Sequence, residues 1–206
     1  MDKFTQFSLE KYLNELSSDR AVPGGGSVSA LTASLAMGLS QMVIRISLKR
    51  KKKEGLGLEE EARETQRVST LEKILESLEK AKRDAFQIVN LDPEVYDQVM
   101  KAWGGDADRM EDALQNSFRL QADLAFLVVM AAEWNGALDT LVSGSIKNDL
   151  YVSKALLDGA FQGAYHTAMI NVKYMKDPNR KDQALKAMEE LKGRFERGKV
   201  HASESR

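Results

Sequence analysis

The chain is predicted to be all-α, an up-and-down bundle of long helices forming a single domain over residues 1–206. Three observations carry that prediction. There are only three prolines, Pro23, Pro93 and Pro178, in 206 residues, so long stretches lack the residue that most often ends a helix. No stretch alternates at period two for long, as a half-buried strand would. Apolar residues instead recur three and four apart over runs of many turns, which places them on one face of a helix.

Taken in order, a short first helix runs from about Ser8, a suitable N-cap with Lys11 three residues on, to Leu16. The second begins at Ser27 or Val28, straight after three glycines. It sets Val28, Leu31, Leu35, Leu39, Met42 and Ile46 on one face and ends in Lys49-Arg50-Lys51-Lys52-Lys53 before Gly55 and Gly57. The third carries Val68, Leu71, Leu75, Leu78, Lys82, Ala85, Val89 and Asp92 at strict 3-4 spacing, a bundle seam. A fourth spans about Asp108 to Trp134, and a fifth about Asn148 to Met175, stopped by Asp177-Pro178. A sixth, charged and amphipathic, covers about Asp182 to Phe195, and the tail after about residue 198 is expected to be mobile. Long helices with short connections favour antiparallel neighbours.

Composition narrows the function. A net charge of -1 argues against a general nucleic-acid binder. The longest apolar run, Leu124 to Ala132, is too short to span a bilayer, and Met1-Asp2-Lys3-Phe4 opens no signal peptide, so the expectation is a cytoplasmic protein without a membrane partner. No cysteine is present, which excludes disulfides, thiolate metal sites and a cysteine nucleophile. The two histidines are His166 and His201, the latter in a polar tail, so no histidine metal cluster is expected and no metal site is assigned. Chemistry here falls to carboxylates, lysines, amides, hydroxyls and backbone.

The most informative segment is Pro23-Gly24-Gly25-Gly26-Ser27, glycines leading directly into a helix. It suits either a ligand cradle at a helix N-terminus or a tight helix corner, and it lacks the lysine and the preceding strand of the common phosphate loops. Asp92 likewise has two readings. On the seam of the third helix its carboxylate would be desolvated and suited to acid/base work. As Asp92-Pro93-Glu94 it would cap a new helix, with proline at the first helical position. Asp149, Ser153, Leu156, Ala160, Gly163, Thr167 and Asn171 share one face of the fifth helix, matched by Ser27, Ser34, Gly38 and Gln41 on the second; these stripes either pack closely or line a cleft. His166 is read as a packed helix histidine and the nine methionines as packing. The basic run is either a solvated helix end or an anchor for an anionic ligand tail.

Together these segments resemble the formiminotetrahydrofolate cyclodeaminase and methenyltetrahydrofolate cyclohydrolase family. The glycine block Pro23 to Leu31 looks like its signature, Asp92 to Ala102 is similar to its Asp-Ala-x-x-Phe block, and Lys147-Asn148-Asp149-Leu150 with Gly163-Ala164-Tyr165 and Ile170-Asn171-Val172 is similar to its last core helix. The resemblance implies an all-helical folate enzyme that works as a homodimer or larger assembly, with no cofactor beyond its tetrahydrofolate substrate, a polyglutamylated form included. It implies Asp92 as the general acid/base, with Asp84 as a rival, and Gly24, Gly25, Gly26, Ser27, Asn148, Asp149 and Asn171 around the substrate. Pro93, Asn148 and Thr167 depart from the family pattern. The reaction implied is cyclodeamination of 5-formiminotetrahydrofolate; the alternatives are hydrolysis of methenyltetrahydrofolate at the same site and a helical folate-binding or interaction protein without catalysis.

Overall fold

The computed structural model describes residues 3–50 and 57–203, with side chains through residue 198. After a 3-10 turn at Phe4–Gln6 come α1 (Leu9–Leu16), α2 (Gly25–Lys49), α3 (Leu58–Ala102), α4 (Ala107–Leu141), α5 (Lys147–Tyr174) and α6 (Pro178–Ser203). Ser8 caps α1 as expected, its Oγ accepting from Lys11 N at 3.1 Å, an interaction worth about 1 kcal/mol.

Cross-helix contacts fix the directions. Ser27 meets Asp92 and Gln41 meets Lys82, so α2 and α3 are antiparallel. Ser40 meets Ser153, with Gly25 beside Thr167, so α2 and α5 are antiparallel too. Asp92 meets Gln121 and Arg67 meets the Leu141 carbonyl, which sets α4 against α3. The result is the expected up-and-down bundle, with α2 and α4 on one diagonal and α3 and α5 on the other. α6 lies along α4, held by Arg194 on both Glu133 carboxylate oxygens and by Phe195 stacked on Phe161 at 4.1 Å. Met37, Ile44, Leu71, Leu78, Leu114, Leu124, Leu138, Leu157 and Phe161 are fully buried between the diagonals; each such side chain contributes about 1.5–3 kcal/mol.

By length and composition α2 and α4 match what a membrane span needs. In the bundle Met37, Val43 and Ile44 of α2 and Leu114, Leu124, Val128 and Leu138 of α4 face the core while Leu35, Met42, Ile46 and Phe126 stay exposed, and α2 also buries Ser27, Ser29, Ser34, Ser40, Gln41 and Ser47. One polar cluster joins three helices at mid-height: Ser40 and Ser153 share a hydrogen bond, Ser153 donates to the Ala36 carbonyl, and Asn135 donates to Ser40 and to the Leu150 carbonyl.

Several boundaries differ from the sequence reading. α2 starts at Gly25, two glycines earlier than expected, and α4 runs on to Leu141. α6 starts at Pro178 and continues to Ser203, so the chain beyond residue 198 is helical at first. The largest difference is that α3 does not stop at Asp92: it is one helix of 45 residues with Pro93 inside it. The basic run divides, with Lys49 ending α2 and Arg50 donating to the Ser143 carbonyl at 2.6 Å, whereas Lys51 to Lys53 lie outside the described residues.

Candidate active site at the N-terminal end of α2

The first turn of any helix exposes unpaired N–H groups, and α2 has no side chain of its own to meet them, because its N-cap is Gly24. The missing acceptor comes from α3. Asp92 Oδ2 accepts from Ser27 N at 2.9 Å, and Asp92 Oδ1 accepts from Gln121 Nε2, on α4, at 2.8 Å. Asp92 is only 8 % exposed. Its capping role is therefore real but belongs to α2; the expectation that Asp92 starts a helix of its own is overturned, since residues on both sides of it are in α3.

Pro93 explains how the helix runs through. A proline has no N–H, so the Val89 carbonyl one turn earlier loses its helical donor. Ser27 replaces it: its Oγ donates to Val89 O at 2.9 Å. That hydroxyl has one proton, so the 3.0 Å contact with Tyr12 must be donated by the tyrosine. The chain Tyr12 to Ser27 to Val89 thus ties α1, α2 and α3 together.

Gly26 is the glycine that this arrangement requires. A Cβ there would overlap Asp92 Oδ1 and Gln121 Nε2, so the hydrogen-bonded pair lies directly on the backbone of α2. Gly25 differs, because its Cβ would rest 3.7 Å from Thr167 Oγ1, an ordinary contact. Gly25 is exposed at the rim of the site, with α5 beside it through Thr167 and, one turn on, the largely buried Asn171, whose Nδ2 donates to the Thr167 carbonyl.

Burial pushes the Asp92 carboxyl above its ordinary range, and the Ser27 N–H and the Gln121 amide pull it back only in part. Burial also raises the Tyr12 phenol, opposed by its hydrogen bond with Ser27 and reinforced by the Asp92 charge, so Tyr12 stays neutral. Asp84, the rival, is exposed on α3. A carboxylate poised toward protonation, beside the positive end of a helix and backed by neutral donors, can take a proton and return it.

The structure thus brings Gly24, Gly25, Gly26, Ser27, Asp92 and Asn171 to one end of the bundle. It does not bring Asn148 and Asp149 there. These sit in the first turn of α5, and 22 residues separate Asp149 from Asn171, about 33 Å at the rise of an α-helix. The small-residue face between them is closed: a Cβ on Gly163 would overlap Ser29 Oγ, and Ser153 is bonded to α2. His166 is exposed, edge-on to Tyr165 at 6.0 Å. Sequence reasoning missed Gln121 and Tyr12. Gln121 interrupts the apolar stripe Leu114, Phe118, Ala125, Val128 at an inward position, which is the pattern that would have marked it. Among the described residues no group of acids and histidines is arranged to hold a metal ion.

Comparisons with known proteins bear on the same residues. The formimidoyltransferase-cyclodeaminase of Sus scrofa is 28% identical over 194 residues, covering 89% of this chain and 34% of that protein. The Rattus norvegicus enzyme of the same name is 27% identical over 181 residues, 82% of this chain and 31% of that one. The chain spans about a third of the length of these relatives. A crystal structure of formiminotetrahydrofolate cyclodeaminase from Thermotoga maritima superposes with a TM-score of 0.86 at 22% identity, covering 97% of this chain and 95% of that one, which shows the shared fold. The family model described as formiminotransferase-cyclodeaminase matches residues 8–190. That match takes in the glycine block, Asp92, Gln121 and all of α5, and the chain belongs to the formiminotransferase-cyclodeaminase family.

Proposed function

We propose that this chain is a cyclodeaminase that converts 5-formiminotetrahydrofolate into 5,10-methenyltetrahydrofolate and ammonia, with Asp92 as its general acid/base. The observation that carries the reading is the buried Asp92 carboxylate, held between Ser27 N and Gln121 Nε2 against the glycine block. Family membership and the fold shared with a cyclodeaminase support it.

The reaction asks for the movement of one proton. N10 attacks the formimino carbon, a C–N bond forms, and N10 must lose its proton. The formimino group enters as its protonated amidinium, so after the attack the former imino nitrogen is an NH2; it must gain one more proton before its bond to carbon breaks and it leaves as ammonia, with N5 and N10 sharing the positive charge of the amidinium product. One carboxylate that accepts the first proton and delivers it to the leaving nitrogen closes the cycle. Holding N10 against the carbon supplies the rest through proximity. Gly25, Thr167 and Asn171 form the side of the site where a substrate could approach the α2 backbone closely.

The same reading includes a homodimer. Leu35, Met42 and Ile46 on α2 and Val152 and Ile170 on α5 are exposed, and apolar surface of this kind suits self-association. A second copy is also the means by which Asn148 and Asp149 could join a site built around Asp92. A monomeric mass in solution at working concentration would remove this part of the reading.

The direct test supplies 5-formiminotetrahydrofolate and follows methenyltetrahydrofolate absorbance together with ammonia release. Both should rise in step. Loss of absorbance when methenyltetrahydrofolate is supplied, without turnover of the formimino compound, would assign the hydrolytic reaction instead. Folate-dependent thermal stabilisation without either reaction would leave a binding protein.

A further inference from the structure

Gln121 is fully buried, yet its side chain is half used: Nε2 donates to Asp92 while Oε1 has no partner. An unmet buried carbonyl destabilises the fold, and a leucine would fill a core position of α4 without that cost. The amide also lies where Gly26 has given up its side chain, so two positions on two helices are shaped around the Asp92–Gln121 contact.

We propose that Gln121 is the positioning residue for Asp92, holding the carboxyl in one place through both halves of the proton transfer by presenting either end of its amide. The inference rests on the reading of Asp92 as the acid/base group. When Asp92 is ionised, Nε2 donates to Oδ1, as the structure shows. When Asp92 carries the proton, a half-turn of the amide brings Oε1 to face the same oxygen, and the carboxyl O–H donates to it. The two ends of the amide are nearly equal in shape, so the exchange needs no movement of the helices. Each state leaves one amide group without a partner, so neither is favoured strongly over the other. A fixed cation would hold only the ionised state and a hydrophobic residue neither.

The other groups at Asp92 are compatible with this. Tyr12, on α1, is the titratable side chain coupled to it and remains a neutral donor to Ser27. From α2 the contact is the Ser27 amide, and from α4 it is Gln121 itself.

The test uses two variants of the full chain, Gln121→Leu and Gln121→Glu. The Asp92 carboxyl is titrated by carbon NMR, its signal identified by its loss in Asp92→Asn, and kcat and KM are measured against pH. In Gln121→Leu the carboxyl loses a donor to its charged form, so it should titrate at higher pH than in the parent. The acid limb of kcat should move the same way, with kcat down by about tenfold and KM within about twofold, because Gln121 is fully buried. Gln121→Glu keeps the shape of the side chain and guards against a variant that fails to fold. Its protonated carboxyl can donate to Asp92, so part of the lost kcat should return on lowering the pH. An unmoved Asp92 titration in folded Gln121→Leu, or a change in KM alone, would overturn the proposal. A titration that moves as expected in a protein that never turns over formiminotetrahydrofolate would support the pairing and overturn the reaction.

Discussion

The chain contains two Asp-Pro pairs followed by polar residues, and they do opposite things. At Asp177-Pro178 a helix begins: Asp177 Oδ1 accepts from Asn179 N at 2.8 Å and Arg180 N at 3.1 Å, and Pro178 is the first residue of α6. At Asp92-Pro93 a helix continues, and the aspartate reaches across to the Ser27 amide of a different one. Locally the two sequences offer the same choice. The difference lies in Ser27, which gives Val89 O the donor that Pro93 withholds. A proline that would cost about 3 kcal/mol in an isolated helix interior is accommodated here by a side chain from elsewhere in the fold. An Asp-Pro pair is therefore a statement about donors and acceptors, and it becomes a helix start only where nothing else meets them.

The sharpest way to separate the two aspartates is to remove the charge from each. Asp92→Asn should lower turnover by roughly a hundredfold or more, while Asp177→Asn, an equally good cap, should leave turnover unchanged. Stability should move in the other direction. The Asp92 pKa is raised in the fold, so its contribution is fully present below the unfolded carboxylate pKa and is lost as the pH rises through the raised value. The melting temperature of Asp92→Asn should therefore gain on the parent as the pH rises above the ordinary carboxylate range, about pH 4. A gap that narrows over that range would show that the carboxylate, rather than the acid, is the form the fold favours.

A smaller effect tests the space around the pair. Gly26→Ala should destabilise by about 1–3 kcal/mol through overpacking and lower turnover by displacing Asp92. Gly25→Ala, for which the contact is ordinary, should fall within about 0.5 kcal/mol of the parent. Denaturant midpoints of the two variants decide this, and equal losses would mean that the glycine block acts only as a turn. Any fall in folate affinity confined to Gly25→Ala would report a ligand approaching that backbone.

The smallest and most specific test is a double-mutant cycle on the proline. Ser27→Ala leaves the Val89 carbonyl without a donor and should cost about 1–3 kcal/mol. Pro93→Ala restores a helical N–H to that carbonyl, so in its presence Ser27→Ala should cost less, with a coupling of at least about 0.5 kcal/mol. Strict additivity would mean that Ser27 and Pro93 are not linked.

The comparison also explains what could be read in advance. Helical periodicity determines the bundle, because the 3-4 spacing of Leu71, Leu75, Leu78 and Ala85 is a property of each segment alone. The run-on at Asp92 could not be read that way, since the compensating hydroxyl is 62 residues distant in sequence. Asp92 itself was legible as a carboxylate on an inward seam. Gln121 was harder, because one amide in an apolar stripe has no meaning until its partner is known. Asn148 and Asp149 were grouped with Asn171 through the family resemblance and, for Asp149, a shared helix face, yet a helix of 28 residues is long enough to put its ends in different places. Which glycine of three touches the carboxylate is likewise a matter of direction in space, and sequence shows only the cluster.

The 65 residues between Ser27 and Asp92 also set an order of events during synthesis. A ribosome adding roughly 5–20 residues per second needs about 3–13 s to pass from one to the other. Throughout that interval α2 exists without the acceptor for its first turn and without α5, and α3 is still incomplete. The segment that carries the glycine block thus waits for its partners, and nascent chains halted before Asp92 should hold it open to protease and chaperone, while chains that have cleared α3 should protect it.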